Sequence, residues 1–158
     1  MTATLLNRAE LLALQDDYVA ALDEDRLEDW PGFFTEDCLY EIIPRENLNA
    51  GLPAPLVRLD NIRMLRDRVV SLRRANIFEQ PIYRHALSGL TFHQRDDGSF
   101  DVRSSYIVVN TSMAGDTRVY QSGQYLDHVV RTKDGLRFAT KRAVYDTSRV
   151  PTLLAYPV

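Results

Sequence analysis

The chain has 158 residues, a net charge of −3 and 26% charged side chains, a composition typical of one globular domain. This composition excludes a disordered chain, and no apolar run approaches the roughly 20 residues that span a bilayer, so no membrane association is expected. The 22 acidic residues outnumber the 19 basic ones, which argues against nucleic-acid binding. One cysteine and no visible signal peptide predict a cytoplasmic protein.

The first part of the chain is predicted to be helical. Asn7 and Glu10 resemble a capping box, and a helix is expected over 8–23. Its apolar face repeats at spacings of three and four residues: Leu11, Leu14, Tyr18 and Leu22. A short second helix is expected over 25–34.

A strand, a loop and a third helix are predicted next. The strand runs over 38–43. Residues 44–58 contain three prolines and a glycine, which predict an ordered loop or a lid. Asp60 or Asn61 can cap a third helix that continues to about Arg74.

From about Tyr83 the apolar residues alternate with a period of two, which predicts strands. Turn signals at Asp97-Gly98, Ala114-Gly115-Asp116 and Asp134-Gly135 separate four expected strands: 84–94, 100–112, 117–131 and 136–147. Helices followed by strands predict an α+β fold, in which a curved antiparallel sheet packs on the helices as a cone with an internal cavity. One domain is expected over 1–158, with a mainly helical part (about 5–82), a meander (83–147) and a C-terminal tail (148–158).

Few residues offer metal or nucleophile chemistry. The histidines are His85, His93 and His128, and the first two would lie about 26 Å apart on one strand, too far to share a metal. Cys38 follows two acidic residues, which would raise its thiol pKa and make it unreactive. We therefore expect no cofactor or metal in this chain.

An enzyme of this cone shape would use acids, tyrosines and histidines inside its cavity. The candidates are Tyr18, Asp37 and His85. Arg84 next to His85 would favour a neutral imidazole able to donate or accept a proton. The alternative is that His85 only ties the start of a strand to a backbone carbonyl.

The third predicted helix is basic on an acidic domain. Arg63, Arg66 and Arg73 fall close to one stripe of that helix. This stripe could receive carboxylates of a partner subunit. Alternatively, it is a solvated face whose arginines pair with Asp60 and Asp67.

Two features of the second half of the chain predict that part of its surface is covered by neighbouring subunits. The strand over 100–112 has apolar residues on both faces: Val102, Tyr106 and Val108 on one, Ile107 and Val109 on the other. The tail over 153–158 is apolar to its last residue and is expected to pack at a subunit interface. The alternative is that the tail folds back on its own domain.

Several segments, taken in order, resemble the small (β) subunits of aromatic-ring-hydroxylating dioxygenases. They are Trp30 with Phe33-Phe34-Thr35-Glu36-Asp37-Cys38-Leu39-Tyr40, Pro44-Arg45-Glu46-Asn47, Arg68-Val69 with Leu72-Arg73, Glu79-Gln80-Pro81, Arg84-His85-Ala86-Leu87-Ser88, Ser122-Gly123-Gln124-Tyr125-Leu126-Asp127 and Arg142-Ala143-Val144-Tyr145-Asp146. The resemblance covers nearly the whole chain. Gln124 departs from it, since the family often has arginine there.

The resemblance implies a nuclear-transport-factor-like cone and a mainly structural role in an oxidoreductase complex. In that family the large (α) subunit carries the Rieske 2Fe–2S cluster and the mononuclear iron. A homotrimer of small subunits is expected beneath three large ones, which a reductase supplies with electrons. An aromatic carboxylate such as terephthalate, anthranilate or salicylate is the implied substrate. The predicted subunit contacts are Arg63, Arg66, Arg73, Arg84 and Tyr156.

Two other function classes stay open at this point. The first is a stand-alone isomerase or dehydratase that uses Tyr18, Asp37 and His85. The second is a ligand-binding scaffold domain. Fold analogy alone does not separate them from the subunit hypothesis.

Overall fold

The computed structural model describes residues 2–75, 82–147 and 156–158. The elements in chain order are helix α1 (Thr2–Asp23), a 3-10 helix (Trp30–Phe33), strand β1 (Phe34–Pro44), helix α2 (Arg45–Asn49), strand β2 (Val57–Leu59), helix α3 (Ile62–Ala75), and strands β3 (Ile82–Gln94), β4 (Phe100–Thr111), β5 (Thr117–Thr132) and β6 (Gly135–Tyr145). The strands form one sheet in the order β2-β1-β6-β5-β4-β3. Within these ranges no helix is both long and apolar enough to span a membrane.

The predicted meander is confirmed. All four strands form within two residues of their expected ends, and each pairs antiparallel with the next. Gly98, Gly115 and Gly135 in the three connecting turns have φ values of 84°, 91° and 103°, a region that glycine occupies without steric cost. The turn residues therefore fix where the strands end.

The sheet is mixed rather than purely antiparallel. β1 pairs parallel with β6, with Leu39 opposite Thr140 and Ile43 opposite Val144. The sequence did not predict this pairing, because the two strands are about 100 residues apart along the chain. It places the first strand between β2 and β6. Helix α3 packs against β1 and β2, and helix α1 packs against β3 and β6.

Helix α1 starts earlier than expected. It begins at Thr2, so the predicted capping box is wrong: Asn7 lies inside the helix and its side-chain amide donates to Gln94 at 3.4 Å. The second predicted helix is reduced to the 3-10 turn at Trp30–Phe33, where Pro31 removes one backbone donor.

The predicted loop over 44–58 contains short regular elements. It starts with helix α2 and ends in β2, which pairs antiparallel with β1. The start of α3 is as predicted, since the Asn61 side-chain oxygen accepts a hydrogen bond from the Met64 backbone at 3.1 Å.

The core lies between α1, α3 and the inner face of the sheet. The predicted apolar face of α1 is buried, from Leu11 to Leu22. The inner-face rings of β5 and β6 reach α1 directly, since the centroids of Phe138 and Tyr18 are 5.5 Å apart. At this level of the cone, side chains occupy the space where we expected a cavity.

Ile107 on the outer face of β4 is exposed, whereas Val158 at the C-terminal end is buried. Ile107 is 45% exposed on the outer face, as the two-faced pattern predicted. Val158 is buried instead, and its carbonyl accepts hydrogen bonds from the Tyr18 and Tyr40 hydroxyls at 2.9 and 3.1 Å. Pro157 and Val158 are buried and fold back on their own domain, as the alternative expected, so the interface expectation is wrong for these two residues. Tyr156 is half-buried, and residues 153–155 lie outside the described ranges.

Candidate functional site

An ion pair is buried inside the cone, between the sheet and α1. Asp127 of β5 and Lys141 of β6 are opposite each other in the antiparallel ladder, so both side chains point to the inner face. Lys141 Nζ lies 3.1 Å from Asp127 Oδ2, and neither side chain has exposed surface. Gln15 of α1 donates to Asp127 Oδ2 at 2.6 Å and accepts from Lys141 Nζ at 3.0 Å.

Three aromatic rings surround the Lys141 ammonium. Its Nζ lies 3.7, 4.3 and 4.4 Å from the ring centroids of Tyr125, Phe138 and Tyr18. A cation over a ring face is attracted by the ring quadrupole, and more strongly away from water. We name the groups around Lys141 the lysine cage: Gln15, Tyr18, Tyr125, Asp127 and Phe138.

Burial controls the ionisation of these groups. Desolvation raises the pKa of Asp127, although the positive charge of Lys141 acts to lower that pKa. Desolvation also lowers the pKa of Lys141 to about 8, although the negative charge of Asp127 acts to raise that pKa. The loss of water therefore outweighs the attraction within the pair. Burial also raises the pKa of Tyr18 and Tyr125 well above 10, so neither phenol is a base near neutral pH.

A second buried contact joins the end of α1 to β3. His85 Nδ1 lies 2.6 Å from Asp23 Oδ1, and the His85 backbone nitrogen donates to Asp23 Oδ2 at 2.8 Å. The prediction of a backbone carbonyl partner is therefore wrong, and the charged group in contact is a carboxylate rather than Arg84. His85 Nε2 is buried and makes no hydrogen bond to the described part of the chain.

The three predicted cavity residues are not brought together. The Tyr18 hydroxyl donates to the Val158 carbonyl, and Asp23 holds His85. Asp37 is exposed on β1, so its predicted place in the cavity is wrong. The described structure does not assemble the predicted acid–base trio.

The family model described as "Ring hydroxylating beta subunit" matches residues 18–152. The chain belongs to this family. It is 57% identical over 149 residues to the anthranilate 1,2-dioxygenase small subunit of Burkholderia cepacia, covering 94% of this chain and 92% of that protein. It is 34% identical over 154 residues to subunit beta 2 of the terephthalate 1,2-dioxygenase terminal oxygenase component of Comamonas sp, covering 98% and 100% of the two chains.

Solved structures agree with the cone fold of this β subunit. A β subunit assigned to an aromatic-ring-hydroxylating dioxygenase of Novosphingobium aromaticivorans superposes with a TM-score of 0.90, at 36% identity over 99% of both chains. A protein of the same organism assigned as a scytalone dehydratase superposes with a TM-score of 0.75. At 18% identity, over 99% of this chain and 95% of that one, it supports the fold alone. The predicted α+β cone is confirmed.

The arginines predicted as contacts of the β subunit fall into two groups. Arg73 forms ion pairs within its own chain, to Asp25 at 2.7 Å and to Glu28 at 2.8 Å, and its contact with a partner subunit stays a prediction. Arg63 and Arg66 are exposed, and neither has a carboxylate partner in the described ranges.

The remaining predicted contacts also differ in their surroundings. The alternative expected Asp60 to pair with the α3 arginines, and this is wrong. The Asp60 carboxylate pairs with Arg58 at 3.0 Å. Arg84 is exposed on β3. Tyr156 is half-buried, with its ring 5.6 Å from the Tyr83 ring, and its role as an interface residue stays a prediction.

His93 and His128 of the β subunit both lie opposite Asp101 on neighbouring strands, while His85 and Cys38 are buried inside the cone. Among the residues that the structure describes, no group of three or more His, Cys, Asp or Glu side chains is placed to hold a metal. His85 and His93 lie on β3 as assumed, and His128 contacts Asp101 at 3.3 Å. Burial, with a smaller contribution from the two preceding acidic residues, raises the pKa of the Cys38 thiol to about 11.

Sequence reasoning missed the lysine cage. One signal was available: Lys141 is one of only two lysines and lies within a predicted strand. The partner of Lys141 was not readable, because the ladder between β5 and β6 shifts register after His128. Such a shift decides which residues face each other and leaves no clear pattern in sequence.

Proposed function

We propose that this β subunit is the structural small subunit of an oxygenase that hydroxylates an aromatic carboxylate. The substrate class rests on the relatives, a small subunit of anthranilate 1,2-dioxygenase and one of terephthalate 1,2-dioxygenase. Anthranilate is the first candidate substrate, because the small subunit of anthranilate 1,2-dioxygenase is 57% identical to this chain. The terephthalate 1,2-dioxygenase subunit is 34% identical. Salicylate belongs to the same chemical class.

The occupied interior of the cone carries this proposal. An acid–base enzyme needs space for its substrate beside its catalytic groups. At the level of the lysine cage, Lys141 and three aromatic rings fill that space. The proposal therefore assigns no catalytic residue to this chain, whereas an isomerase, a dehydratase or a ligand-binding scaffold would need an open interior.

We assign the oxygen chemistry to the large subunit. A Rieske 2Fe–2S cluster takes two cysteines and two histidines, and this chain has one cysteine. A mononuclear iron site takes two histidines and a carboxylate that converge on one point. His93, Asp101 and His128 are neighbours across β3, β4 and β5, but the described residues include no group of three placed to hold a metal. The residues of this chain fit neither centre, so both belong in a partner that receives electrons from a reductase.

The assembly we propose has three small and three large subunits, with the small subunits as a homotrimer. Exposed apolar side chains on the outer sheet face, Ile107 and Val119, support a covered surface there. Arg63 and Arg66 on α3, and Arg84 on β3, are available for carboxylates of a neighbouring subunit. The cytoplasmic location stays a prediction.

The first test is a His85→Gln variant co-expressed with the large subunit. Without a catalytic role for His85, turnover per assembled complex should stay within a few-fold of the unsubstituted complex, while yield or assembly can fall. General acid–base catalysis contributes about 10²–10⁴-fold. A loss of that size in a correctly assembled complex would contradict the proposal and favour the isomerase or dehydratase function.

The second test is light scattering. We expect the isolated chain to have the mass of a trimer, and the mixture with the large subunit to have the mass of three copies of each. Metal analysis of the isolated chain should find no stoichiometric iron or zinc. A chain that stays monomeric and never binds the large subunit would refute the assembly, and about one iron per chain would refute the assignment of the metal centres.

A further inference from the structure

The lysine cage has the composition of a binding site for an alkylammonium ion. Three ring faces lie within 4.4 Å of one nitrogen atom. The Asp127 carboxylate supplies the countercharge at 3.1 Å, and Gln15 supplies a neutral acceptor at 3.0 Å. Aromatic faces together with a carboxylate are the groups with which proteins bind ammonium ligands.

Four of the five cage residues lie on elements other than β6, the strand that carries Lys141. Gln15 and Tyr18 lie on α1, about one helical turn apart. Tyr125 and Asp127 are two residues apart on β5, so they lie on the same face of that strand. Tyr106 stacks on the Tyr125 ring at 4.4 Å, which fixes that ring from its other side. Removing the lysine side chain should therefore leave the walls of the cage in place.

We propose that the cone interior is a binding site for a primary alkylammonium group, and that Lys141 occupies it as an internal ligand. The side chain of Lys141 beyond Cβ has three carbons and one nitrogen, the size of n-propylammonium. While Lys141 is present, no other ligand can enter the site. The proposed ammonium site is independent of the structural function proposed above.

The test uses the full chain with Lys141→Ala, which keeps Cβ and vacates the cage. Engineered cavities in protein interiors take up small molecules of matching size and polarity. n-Propylammonium chloride at about a hundredfold excess over its Kd should raise the melting midpoint of this variant by about 5–10 °C. The unsubstituted chain should show no such shift in the same salt, because Lys141 already fills the site.

Two controls separate recognition of the charge from simple filling of a cavity. 1-Propanol has nearly the same shape without a charge, and it should give less than half of the shift. A double variant with Lys141→Ala and Asp127→Asn lacks the countercharge, and it should lose the preference for n-propylammonium over 1-propanol. Sodium chloride at the same concentration corrects for the ionic strength.

Every outcome decides the proposal. If Lys141→Ala is unfolded alone, n-propylammonium must restore a cooperative melting transition that 1-propanol does not restore. Equal shifts with the amine and the alcohol would overturn it, as would an equal response of the unsubstituted chain. No response of the variant to either compound would overturn it too.

Discussion

Replacing Lys141 by methionine should strongly destabilise the small subunit. Methionine fills a similar volume, but it leaves the Asp127 carboxylate fully buried without a countercharge. Removing one partner of a buried ion pair costs about 3–5 kcal/mol, whereas neutralising both partners is often close to neutral. We therefore expect a loss of about 4 kcal/mol for Lys141→Met, and a smaller loss when Asp127→Asn is combined with it.

The assay is urea unfolding followed by far-UV circular dichroism. With a slope of about 2 kcal/mol/M, a loss of 4 kcal/mol lowers the urea midpoint by about 2 M. In the double variant the amide oxygen introduced at position 127 still accepts the hydrogen bond from Gln15, so the midpoint should lie above that of either single variant. The coupling energy of this cycle should reach about 2 kcal/mol or more.

The pH dependence of Lys141→Met gives a further check. Burial already raises the pKa of Asp127, and removing the lysine removes the charge that opposes this rise. The carboxyl group then takes up a proton more readily, so the cost of the substitution should shrink as the pH falls. A midpoint within about 0.3 M of the unsubstituted chain, or fully additive single effects, would refute the reasoning.

Three other predictions concern stability. The pKa of Lys141 is lowered to about 8, so the unfolded state binds more protons above that value, and stability relative to Lys141→Met should rise from pH 8 towards 10. Gly123→Ala should cost about 3 kcal/mol or more in urea unfolding, because the new Cβ would overlap the Val144 carbonyl. Tyr40→Phe should cost about 1–3 kcal/mol by the same assay, because its hydroxyl bonds both the nitrogen and the carbonyl of Val158.

Matched controls distinguish these effects from general disturbance. Gly32→Ala adds a Cβ with nothing within 4 Å, so it should change stability by less than about 1 kcal/mol. Tyr145→Phe removes a buried hydroxyl that has no partner in the described ranges, so it should be nearly neutral. Equal losses for Gly123→Ala and Gly32→Ala would contradict the proposed overlap, as equal losses for the two tyrosine variants would contradict the role of Val158. If the stability relative to Lys141→Met did not change between pH 8 and 10, the lowered pKa of Lys141 would be contradicted.

Local signals predicted the second half of the fold well. Gly98, Gly115 and Gly135 each mark a turn, and the strands between them alternate regularly. The cap at Asn61 likewise placed the start of α3. These features depend on neighbours a few residues away, so a single sequence contains them.

The candidate site depends on contacts between distant residues, and for this reason most of it was missed. Asp23 and His85 are 62 residues apart, and Gln15 lies 126 residues before Lys141. Nothing in the local pattern around Asp37 distinguished an exposed carboxylate from one inside the cone. The residue types suggested candidates, but only the register of the strands decided which of them meet.

The parallel pairing of β1 with β6 has a consequence for how this protein is made. β1 is synthesised about 100 residues before β6, its partner in the centre of the sheet and the last strand in the described ranges. Contacts that join such distant segments slow folding, because a long loop must close before they form. During translation one edge of β1 therefore stays unpaired until β6 has left the ribosome, so the sheet of the small subunit should reach its native pairing only after β6 has been synthesised.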